Sequence, residues 1–522
     1  MPSRSPRLFD RPRTRPTAAE DPARRHWLQA AAAAAAALAW PGAARPQPAG
    51  DTPSAAEPPR LALLLGNRDY PGGEDLPPIH KNVRDLSSAL QARGFTVSEG
   101  LDLSLEQARQ AMATFAAQVR AAPPQATAFF YFTGHGAQVD AENLLVSARL
   151  NPKSRADVLA RNSMAFTADV VGQLPRRPQG LTIAVIDACR TSLREVARGD
   201  GLNQVEAPPG ALIAFATGAG RPAIAPADDT RNTFYTASLV KLLVQSSGEI
   251  SFSDLFRLVK LDVQQTMLNH PVALLRQFAQ FPFIAENTQV NRRLAPRGSA
   301  SALAAAAALA APVANPAGAA TTADAAASVA DGAAPRAAPA DERADWARLQ
   351  AAVWPADVVR AAGDYLARHP QSPLAGSAVV AREGAGEAAQ ILARSDVRLF
   401  RSAFLPPAAA GDSADGSAYA PSAPTPAPAP AAAAADIVKA GRGDKDAAAR
   451  VARGWGRQSG RWNVGRYEGW LQYAAALGNG IASYELALHY RRADQPLLAA
   501  QFEDRARELG YTPPPSLDNS RK

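Results

Sequence analysis

The sequence predicts an α/β domain with a central, mainly parallel sheet flanked by helices, followed by alanine- and proline-rich linkers and a small α-helical repeat domain. Three apolar runs, TAFFYF (127–132), LTIAVI (181–186) and ALIAFA (211–216), are typical of strands buried on both faces of a parallel sheet. Helical patterns separate these runs, as α/β folds require. The linkers, 295–340 and 406–435, are mostly Ala, Pro, Gly, Ser and Thr, which cannot form a core.

Shorter patterns predict the other elements of this domain, which we place at residues 60–290. Ser104 and Gln107 have the spacing of a capping box, which predicts the start of a helix that runs to Ala122. The other predicted elements are strands at 61–66 and 95–97 and helices at 83–90, 233–245 and 251–267.

Residues 1–49 are predicted to be a signal peptide and leader. The motif ARRHWLQ (23–29) resembles the twin-arginine export signal, and the weakly apolar stretch 30–39 is followed by small residues that suit a signal peptidase. This stretch is shorter than the ~20 residues that span a membrane, so we expect no stable membrane span after cleavage. The protein is therefore predicted to be periplasmic or secreted. The alternative is an alanine-rich leader without an export function.

The charge pattern argues against nucleic-acid binding. The formal net charge is +8, but the leader alone holds eight arginines against three acidic residues. The rest of the chain is close to neutral for its length, and it contains no aromatic-interleaved basic patch and no zinc-ligand spacing. No metal site and no cofactor are predicted, although the sequence leaves activation by calcium open.

Cys189 is the one cysteine of the 522 residues, and it follows the apolar run 181–186 directly through Asp187 and Ala188. A single thiol cannot form an intramolecular disulfide, so in an oxidising compartment it is either buried or used. The alternative to a functional thiol is a small apolar core residue. His135 favours function, because it follows the run 127–132 between two glycines. Both residues are thus predicted at the carboxyl ends of central strands, where α/β sheets collect functional groups.

A histidine beside a cysteine can perform acyl transfer. The imidazole takes the thiol proton and later protonates the leaving amine. Backbone N–H groups of Gly136 and Cys189 are placed to stabilise the tetrahedral oxyanion. His135 and Cys189 are therefore our candidate catalytic residues.

The order strand-TGHG (133–136), then strand-DACR (187–190), with Cys189 placed 54 residues after His135, resembles the caspase-like clan of cysteine peptidases. Asp187 stands where caspases have Gln, as in metacaspases and bacterial caspase homologues. Further similar segments are LLLGNRDY (63–70), 82–90, GHGAQVDAENLL (134–145) and 215–239. The resemblance covers about residues 60–286. It implies a caspase-like fold, a peptidase activity and a protein or peptide substrate.

The resemblance to metacaspases also implies a preference for Arg or Lys before the cleaved bond. The positions that match the acidic primary pocket are Asp85, Thr133 and Asp187, although Asn82 departs from the cysteine that is usual in the first helix. The alternatives are that Asp85 is an ordinary surface residue and that Asp187 caps backbone N–H groups. Relatives are often processed after the catalytic cysteine, where Arg194 and Arg198 are the candidate sites in this sequence.

The carboxyl-terminal part contains two helical segments, 341–405 and 436–515, on either side of the second linker. The first shows no recognisable chemistry. In the second, 443–455 and 478–490 superimpose at a shift of 35 residues, a period typical of stacked helix pairs. It resembles Sel1-type repeats, which bind protein partners. Because about two units are visible, a small helical cap is the alternative.

Two classes of function follow. The first is an exported cysteine endopeptidase with a helical repeat module. The second is a caspase-like scaffold that no longer cleaves, in which the Sel1-like repeats bind a partner. The presence of both His135 and Cys189 favours the first.

Overall fold

The computed structural model describes residues 57–139, 142–188, 191–192, 205–218, 223–277, 279–294, 340–404, 431–457 and 461–511. The leader 1–49, most of the two linkers, and Cys189, Arg194 and Arg198 lie outside the described residues.

The strands are β1 (Arg60–Gly66), β2 (Phe95–Leu101), β3 (Thr127–Gly134), β4 (Gly136–Val139), β5 (Glu142–Val146), β6 (Ser163–Ala165), β7 (Leu181–Ala188), β8 (Thr191–Ser192), β9 (Ala211–Phe215) and β10 (Phe283–Asn287). The helices of the same region are α1 (Ile79–Ala92), α2 (Leu105–Ala121), α3 (Ala156–Asn162), α4 (Phe234–Gln245), α5 (Phe252–Leu268) and α6 (Ala273–Gln277). A π-helical turn covers Phe166–Val171. Beyond the first linker lie α7 (Ala340–Ala351), α8 (Pro355–Arg368), α9 (Ala375–Leu392), a 3₁₀ turn (Arg401–Ala403), α10 (Ala431–Gly441), α11 (Lys445–Gly456), α12 (Arg461–Ala476), α13 (Gly480–Arg492) and α14 (Pro496–Glu508).

The central sheet has the strand order β10-β9-β7-β3-β1-β2, and within the described chain only β10 runs antiparallel to its neighbour. The predicted α/β fold with a mainly parallel sheet is therefore confirmed. The chain adds β2 on one side of β1 and then β3 on the other. Ligand sites in open α/β sheets form at such a reversal, at the carboxyl ends of the strands. Here those ends belong to β1 and β3.

Side chains of β3 explain why the central strands are continuously apolar. Alternate residues point to opposite faces of a sheet. Phe129 and Tyr131 pack into one core with α1, α4 and α5, whereas Phe130 and Phe132 pack into a second core with α2. Because helices cover both faces, every residue of β3 is buried.

Helix starts in this domain follow the sequence closely. The predicted capping box is present, since Ser104 Oγ accepts from the Gln107 N–H and Gln107 Oε1 accepts from the Ser104 N–H. Thr233 and Ser251 likewise cap α4 and α5 with their hydroxyl oxygens. Each cap satisfies a backbone N–H that the helix itself leaves unpaired.

A second, smaller sheet was not predicted from the sequence. Its order is β6-β5-β4-β8, and the short strand β8 pairs in parallel with β4. β4 begins one residue after His135, and β8 begins two residues after Cys189. The small sheet therefore ties together the two chain segments that follow the candidate catalytic residues.

The carboxyl-terminal region is helical, as predicted. α11 and α13 begin 35 residues apart, behind Asp444 and Asn479, whose side chains accept backbone N–H groups of the helices that follow. This spacing matches the period found in the sequence, while the assignment to Sel1-type repeats stays a prediction. No helix in the described part of the chain has the length and apolarity that a membrane crossing demands.

Side chains of α10 and α11 cover the β10 edge of the central sheet. The Glu286 N–H donates to the Asp446 carboxylate at 3.0 Å, and the Glu286 carbonyl accepts from Arg450 Nη1 at 2.9 Å. The Thr288 carbonyl, just beyond β10, accepts from Lys439 Nζ at 2.5 Å. An open edge strand is a template for pairing with another chain. This edge is instead closed by the chain's own helices.

Candidate active site

His135 and Cys189 follow neighbouring parallel strands. The register of β3 and β7 pairs Thr133 with Asp187 and Gly134 with Ala188, the residues just before the two candidates. Cys189 itself lies outside the described residues, so the geometry of the site is given by His135 and its surroundings. Gly136, the proposed oxyanion donor, begins β4 and pairs with Leu145.

The imidazole of His135 has a defined orientation. Its Nε2 lies 2.8 Å from the backbone carbonyl of Glu74, and a carbonyl can only accept, so Nε2 carries the proton. In the neutral ring, Nδ1 then holds the lone pair that a general base needs. The Tyr70 ring meets the imidazole edge to face with 4.6 Å between ring centroids. Burial lowers the pKa of His135, an effect that the contact with the Glu74 carbonyl opposes.

Asp187, the register partner of Thr133 near the end of β7, is buried at 3% exposure. Its Oδ2 accepts hydrogen bonds from Thr233 Oγ1 at 2.5 Å and Thr236 Oγ1 at 2.6 Å. Because the Thr236 hydroxyl donates to the carboxylate, the Tyr131 hydroxyl at 2.6 Å donates to Thr236. The other oxygen, Oδ1, is buried and has no hydrogen-bond partner among the described residues. Burial raises the pKa of Asp187 even though the three hydroxyls lower it.

Thr133 and Asp85 occupy different environments near Asp187. Thr133 is fully buried, and its Oγ1 accepts from Asn82 Nδ2 at 3.3 Å. Asp85 is partly exposed and is already paired, with Lys81 Nζ at 2.7 Å and Asn232 Nδ2 at 2.9 Å from its Oδ2.

Two consecutive loop residues link the carboxyl groups of Asp85 and Asp187. Asn232 donates to Asp85, and the next residue, Thr233, donates to Asp187. Asn82 completes the link, because its Nδ2 donates to Thr233 Oγ1 and its Oδ1 accepts from the Thr233 N–H. The structure therefore brings Asp85, Thr133 and Asp187 into one connected hydrogen-bond network, in which the buried carboxyl group of Asp187 has no cation partner among the described residues.

Sequence analysis did not recognise Tyr70, Thr233 and Thr236 as partners of His135 and of this network, and it named Asn82 only as a departure from the usual cysteine. The motif LLLGNRDY does contain Tyr70, but its contact with His135 spans 65 residues. No local pattern marks a side chain whose partner is so distant. Among the described residues, no cluster of three or more His, Cys, Asp or Glu side chains could hold a metal ion.

Comparison with known proteins agrees with this topology. Residues 59–292, somewhat under half of the chain, match the family model of Peptidase C14, the caspase domain. The region is thus similar to cysteine peptidases of the caspase clan, and its fold is caspase-like.

A similar solved structure is that of caspase-1 from Spodoptera frugiperda, at 17% sequence identity and a TM-score of 0.36, with 47% of this chain and 92% of that chain covered. No curated protein matches the chain.

Proposed function

We propose that this protein is an exported cysteine endopeptidase that cleaves after Arg or Lys through a dyad of His135 and Cys189. The observation that carries the proposal is the placement of His135. It follows β3, its neighbour β7 leads into Cys189, and its Nε2–H is held by the Glu74 carbonyl. This leaves the basic nitrogen Nδ1 for the thiol. The match of residues 59–292 to the caspase domain supports the same chemistry.

In the proposed reaction, His135 Nδ1 takes the proton of the Cys189 thiol, and the thiolate attacks the carbonyl carbon of the substrate. The N–H groups of Gly136 and Cys189 stabilise the oxyanion. The imidazolium then gives its proton to the departing amine, which leaves an acyl-enzyme thioester. His135 next removes a proton from a water molecule, whose oxygen bonds to the acyl carbon as the C–S bond breaks, and the imidazolium returns this proton to the Cys189 thiolate. The lowered pKa of His135 keeps its ring neutral, and thus basic, at neutral pH.

The preference for Arg or Lys rests on Asp187. A buried carboxylate is costly unless a cation and hydrogen bonds compensate it. Among the described residues, the partners of Asp187 are neutral donors, namely threonine hydroxyls and the Thr236 N–H, and its Oδ1 is unpartnered. A guanidinium or ammonium group of the substrate would supply the missing cation. Asp85 contributes less than the sequence suggested, because Lys81 already neutralises it.

The proposal extends to processing and export. If the enzyme cleaves itself, we expect the cut to follow Arg194 or Arg198 and to vanish in Cys189→Ala. Replacement of Arg24 and Arg25 together by Lys should leave the precursor in the cytoplasm with its leader attached. Periplasmic accumulation of that double variant would contradict the twin-arginine assignment.

The decisive experiment compares peptides with Arg, Lys or Asp before a reporter group, incubated with the purified full chain. We expect turnover of the Arg and Lys peptides and none of the Asp peptide. His135→Ala and Cys189→Ala should each abolish it. His270→Ala is the matched control, because His270 lies in a loop against Phe234, and it should retain activity. Preferential cleavage after Asp would overturn the specificity, and equal turnover by Cys189→Ala would overturn the peptidase assignment.

The scaffold alternative predicts no turnover by the wild-type chain and a protein partner on the helical repeats. Lys439, Asp446 and Arg450 of α10 and α11 contact the peptidase domain. A partner would therefore use the other helices, α12 to α14.

A further inference from the structure

The loop between β1 and α1, residues 67–78, forms two hydrogen bonds with His135. It passes the carboxyl end of β3, where the Glu74 carbonyl accepts the His135 Nε2–H and the Tyr70 hydroxyl accepts the His135 backbone N–H at 3.1 Å. Two atoms of the histidine are thus fixed by one loop. The position of the imidazole then depends on how firmly that loop is held.

Tyr70 is the first anchor of the loop. Its hydroxyl donates to the Val146 carbonyl of β5 at 3.2 Å while it accepts from His135, and the side chain is buried at 4% exposure. A Cβ atom at Gly134 would lie 2.7 Å from the Tyr70 hydroxyl, so glycine is required there for the close approach. Tyr70 therefore joins the loop, β3 and β5 at the point where His135 begins.

Asp102 is the second anchor, and it lies just beyond the carboxyl end of β2. Its Oδ1 accepts the backbone N–H groups of Arg68 at 2.6 Å and Asp69 at 3.0 Å, and its Oδ2 lies 2.6 Å from His80 Nε2. Asp102 has a backbone φ of 50°, which is uncommon for a residue other than glycine. A local conformation of this kind persists where surrounding contacts enforce it, and here the carboxylate closes the base of the loop.

We propose that Tyr70 and Asp102 are positioning residues for His135. Together they hold the loop so that the Glu74 carbonyl selects the tautomer with its proton on Nε2 and its lone pair on Nδ1. Neither side chain touches the substrate; both act through the histidine. The kinetic consequence rests on the proposed peptidase function, whereas the tautomer of His135 can be measured without any activity.

The first test is nitrogen NMR of histidine-labelled full-length protein, with His135 assigned by its loss in His135→Ala. The wild type should show the Nε2–H form of His135. In Tyr70→Phe, which keeps the ring and removes the hydroxyl, and in Asp102→Ala, a measurable fraction of the Nδ1–H form should appear. Asp102→Asn should restore the wild-type signal, because its amide oxygen still accepts from Arg68 and Asp69.

The second test is kinetic. Loss of one such hydrogen bond should lower kcat on an Arg peptide by about 5- to 10-fold, with KM changed less than about twofold. Matched controls come from the helical region. Tyr365→Phe removes a hydroxyl bonded to Glu342 and Ser372, and Asp345→Ala removes a buried carboxylate paired with His369. Both controls should leave kcat and the His135 tautomer unchanged.

The outcomes separate the two proposals. If the wild type cleaves Arg peptides but Tyr70→Phe and Asp102→Ala keep both kcat and the tautomer, the positioning role is wrong and the peptidase assignment stands. If the wild type cleaves nothing while both variants shift the tautomer, the positioning role stands and the peptidase assignment fails. A wild-type His135 already in the Nδ1–H form would overturn the positioning role outright.

Discussion

Asp187 and Glu286 are two carboxylates of the central sheet with equal burial and opposite environments. Each is 3% exposed. Glu286 on β10 meets cations, with Arg257 Nη2 at 2.8 Å and Lys439 Nζ at 3.7 Å, and Arg257 also reaches Asp444 of the helical region. Asp187 on β7 meets, among the described residues, neutral donors: threonine hydroxyls and the Thr236 N–H. Burial alone would raise the pKa of Glu286, but Arg257 and Lys439 bring it down to about 2. The pKa of Asp187 is raised.

The presence or absence of counterions distinguishes a carboxylate that stabilises the fold from one that is available for function. Glu286 brings its own counterions from α5 and α10, so its charge is compensated within the folded chain. Asp187 is held in place by Tyr131, Thr233 and Thr236 but is left without a cation among the described residues. A buried charge without a counterion lowers the free energy of unfolding, and such charges are retained mainly at functional sites. Glu286 should therefore govern stability, and Asp187 should govern activity.

The largest effect is expected from Glu286→Gln. The change leaves Arg257 and Lys439 partly uncompensated at the interface, which should cost about 3–5 kcal/mol of unfolding free energy. Apart from Trp27 and Trp40, every tryptophan lies between residues 346 and 470. Urea unfolding followed by tryptophan fluorescence therefore reports mainly on the helical region, and a shifted transition would show that the interface couples it to the caspase-like domain.

The control for this variant is Glu249→Gln, since Glu249 pairs with Arg293 at the exposed surface. Exposed pairs contribute about 1 kcal/mol or less. Equal denaturation midpoints for Glu286→Gln and the wild type would contradict the role of Glu286, and so would a loss of activity without a loss of stability.

Low pH should lower the unfolding free energy of the wild type in the same way as Glu286→Gln does. Because the folded-state pKa of Glu286 is about 2, below its ordinary 4.5, its stabilisation is present above pH 4.5 and is lost as the pH falls towards 2. Asp187 has the opposite sign: its folded-state pKa is raised above 3.8, so its ionisation lowers stability as the pH rises through the folded-state value. Denaturation midpoints of the wild type, measured from pH 2 to 7, should therefore converge with those of Glu286→Gln at low pH. At high pH, the wild-type midpoints should fall below those of Asp187→Asn. Parallel curves for the three proteins would refute this assignment.

Asp187→Asn should lower activity rather than stability. The amide keeps the shape and can still accept from Thr233 and Thr236, but it cannot pair with a cation. Loss of a charged hydrogen bond of about 1.5–3 kcal/mol lowers kcat/KM for an Arg peptide by roughly 10- to 200-fold. A peptide with a neutral residue at that position should be affected much less. Asp85→Asn is the matched control. Its kcat/KM for the Arg peptide should fall less, because Asp85 is already paired with Lys81. An equal loss on both peptides would mean that Asp187 is not part of the specificity pocket.

Much of the fold could be predicted because it is encoded locally. The runs at 61–66, 127–132, 181–186 and 211–216 became β1, β3, β7 and β9, and the capping box at Ser104 starts α2 where expected. The position of His135 at a strand end also followed from sequence. The short edge strand β10 was not recognised, because a strand covered by α11 on its outer edge lacks the long apolar run of a central strand.

The connections within the site could not be predicted in the same way. Asp187 depends on Thr233 and Thr236, 46 and 49 residues away, and Asn82 reaches Thr233 across 151 residues. Threonine and asparagine are common residues with no spacing rule, so only the folded sheet shows which of them meet. The sequence placed both Asp85 and Asp187 in the predicted acidic pocket, and only the fold shows that Lys81 pairs with Asp85.

Addition of the missing cation should stabilise the protein. A peptide ending in Arg, added to the Cys189→Ala chain at ten times its Kd, should raise the unfolding free energy by about 1.4 kcal/mol. Far-ultraviolet circular dichroism during denaturation measures the shift. The same peptide should have no effect on the double variant Cys189→Ala/Asp187→Asn, and an equivalent peptide ending in Asp should have none on either protein. Stabilisation of both proteins by the Arg peptide would place its binding site elsewhere.

The smallest effect is expected at the rim of the covered edge. Lys445 Nζ lies 4.5 Å from the centre of the Phe283 ring and 2.8 Å from Asp446 Oδ1. Lys445→Met keeps the aliphatic contact with β10 and removes the charge, so the expected cost is about 0.5–1 kcal/mol in the tryptophan-detected transition. Kinetics on the Arg peptide should not change. Because Glu286 on β10 and Lys445 on α11 belong to the same contact between strand and helix, their unequal costs would isolate the contribution of buried charge at this interface. A Lys445→Met cost as large as that of Glu286→Gln would mean that packing against β10, rather than the ion pair, holds the helical region in place.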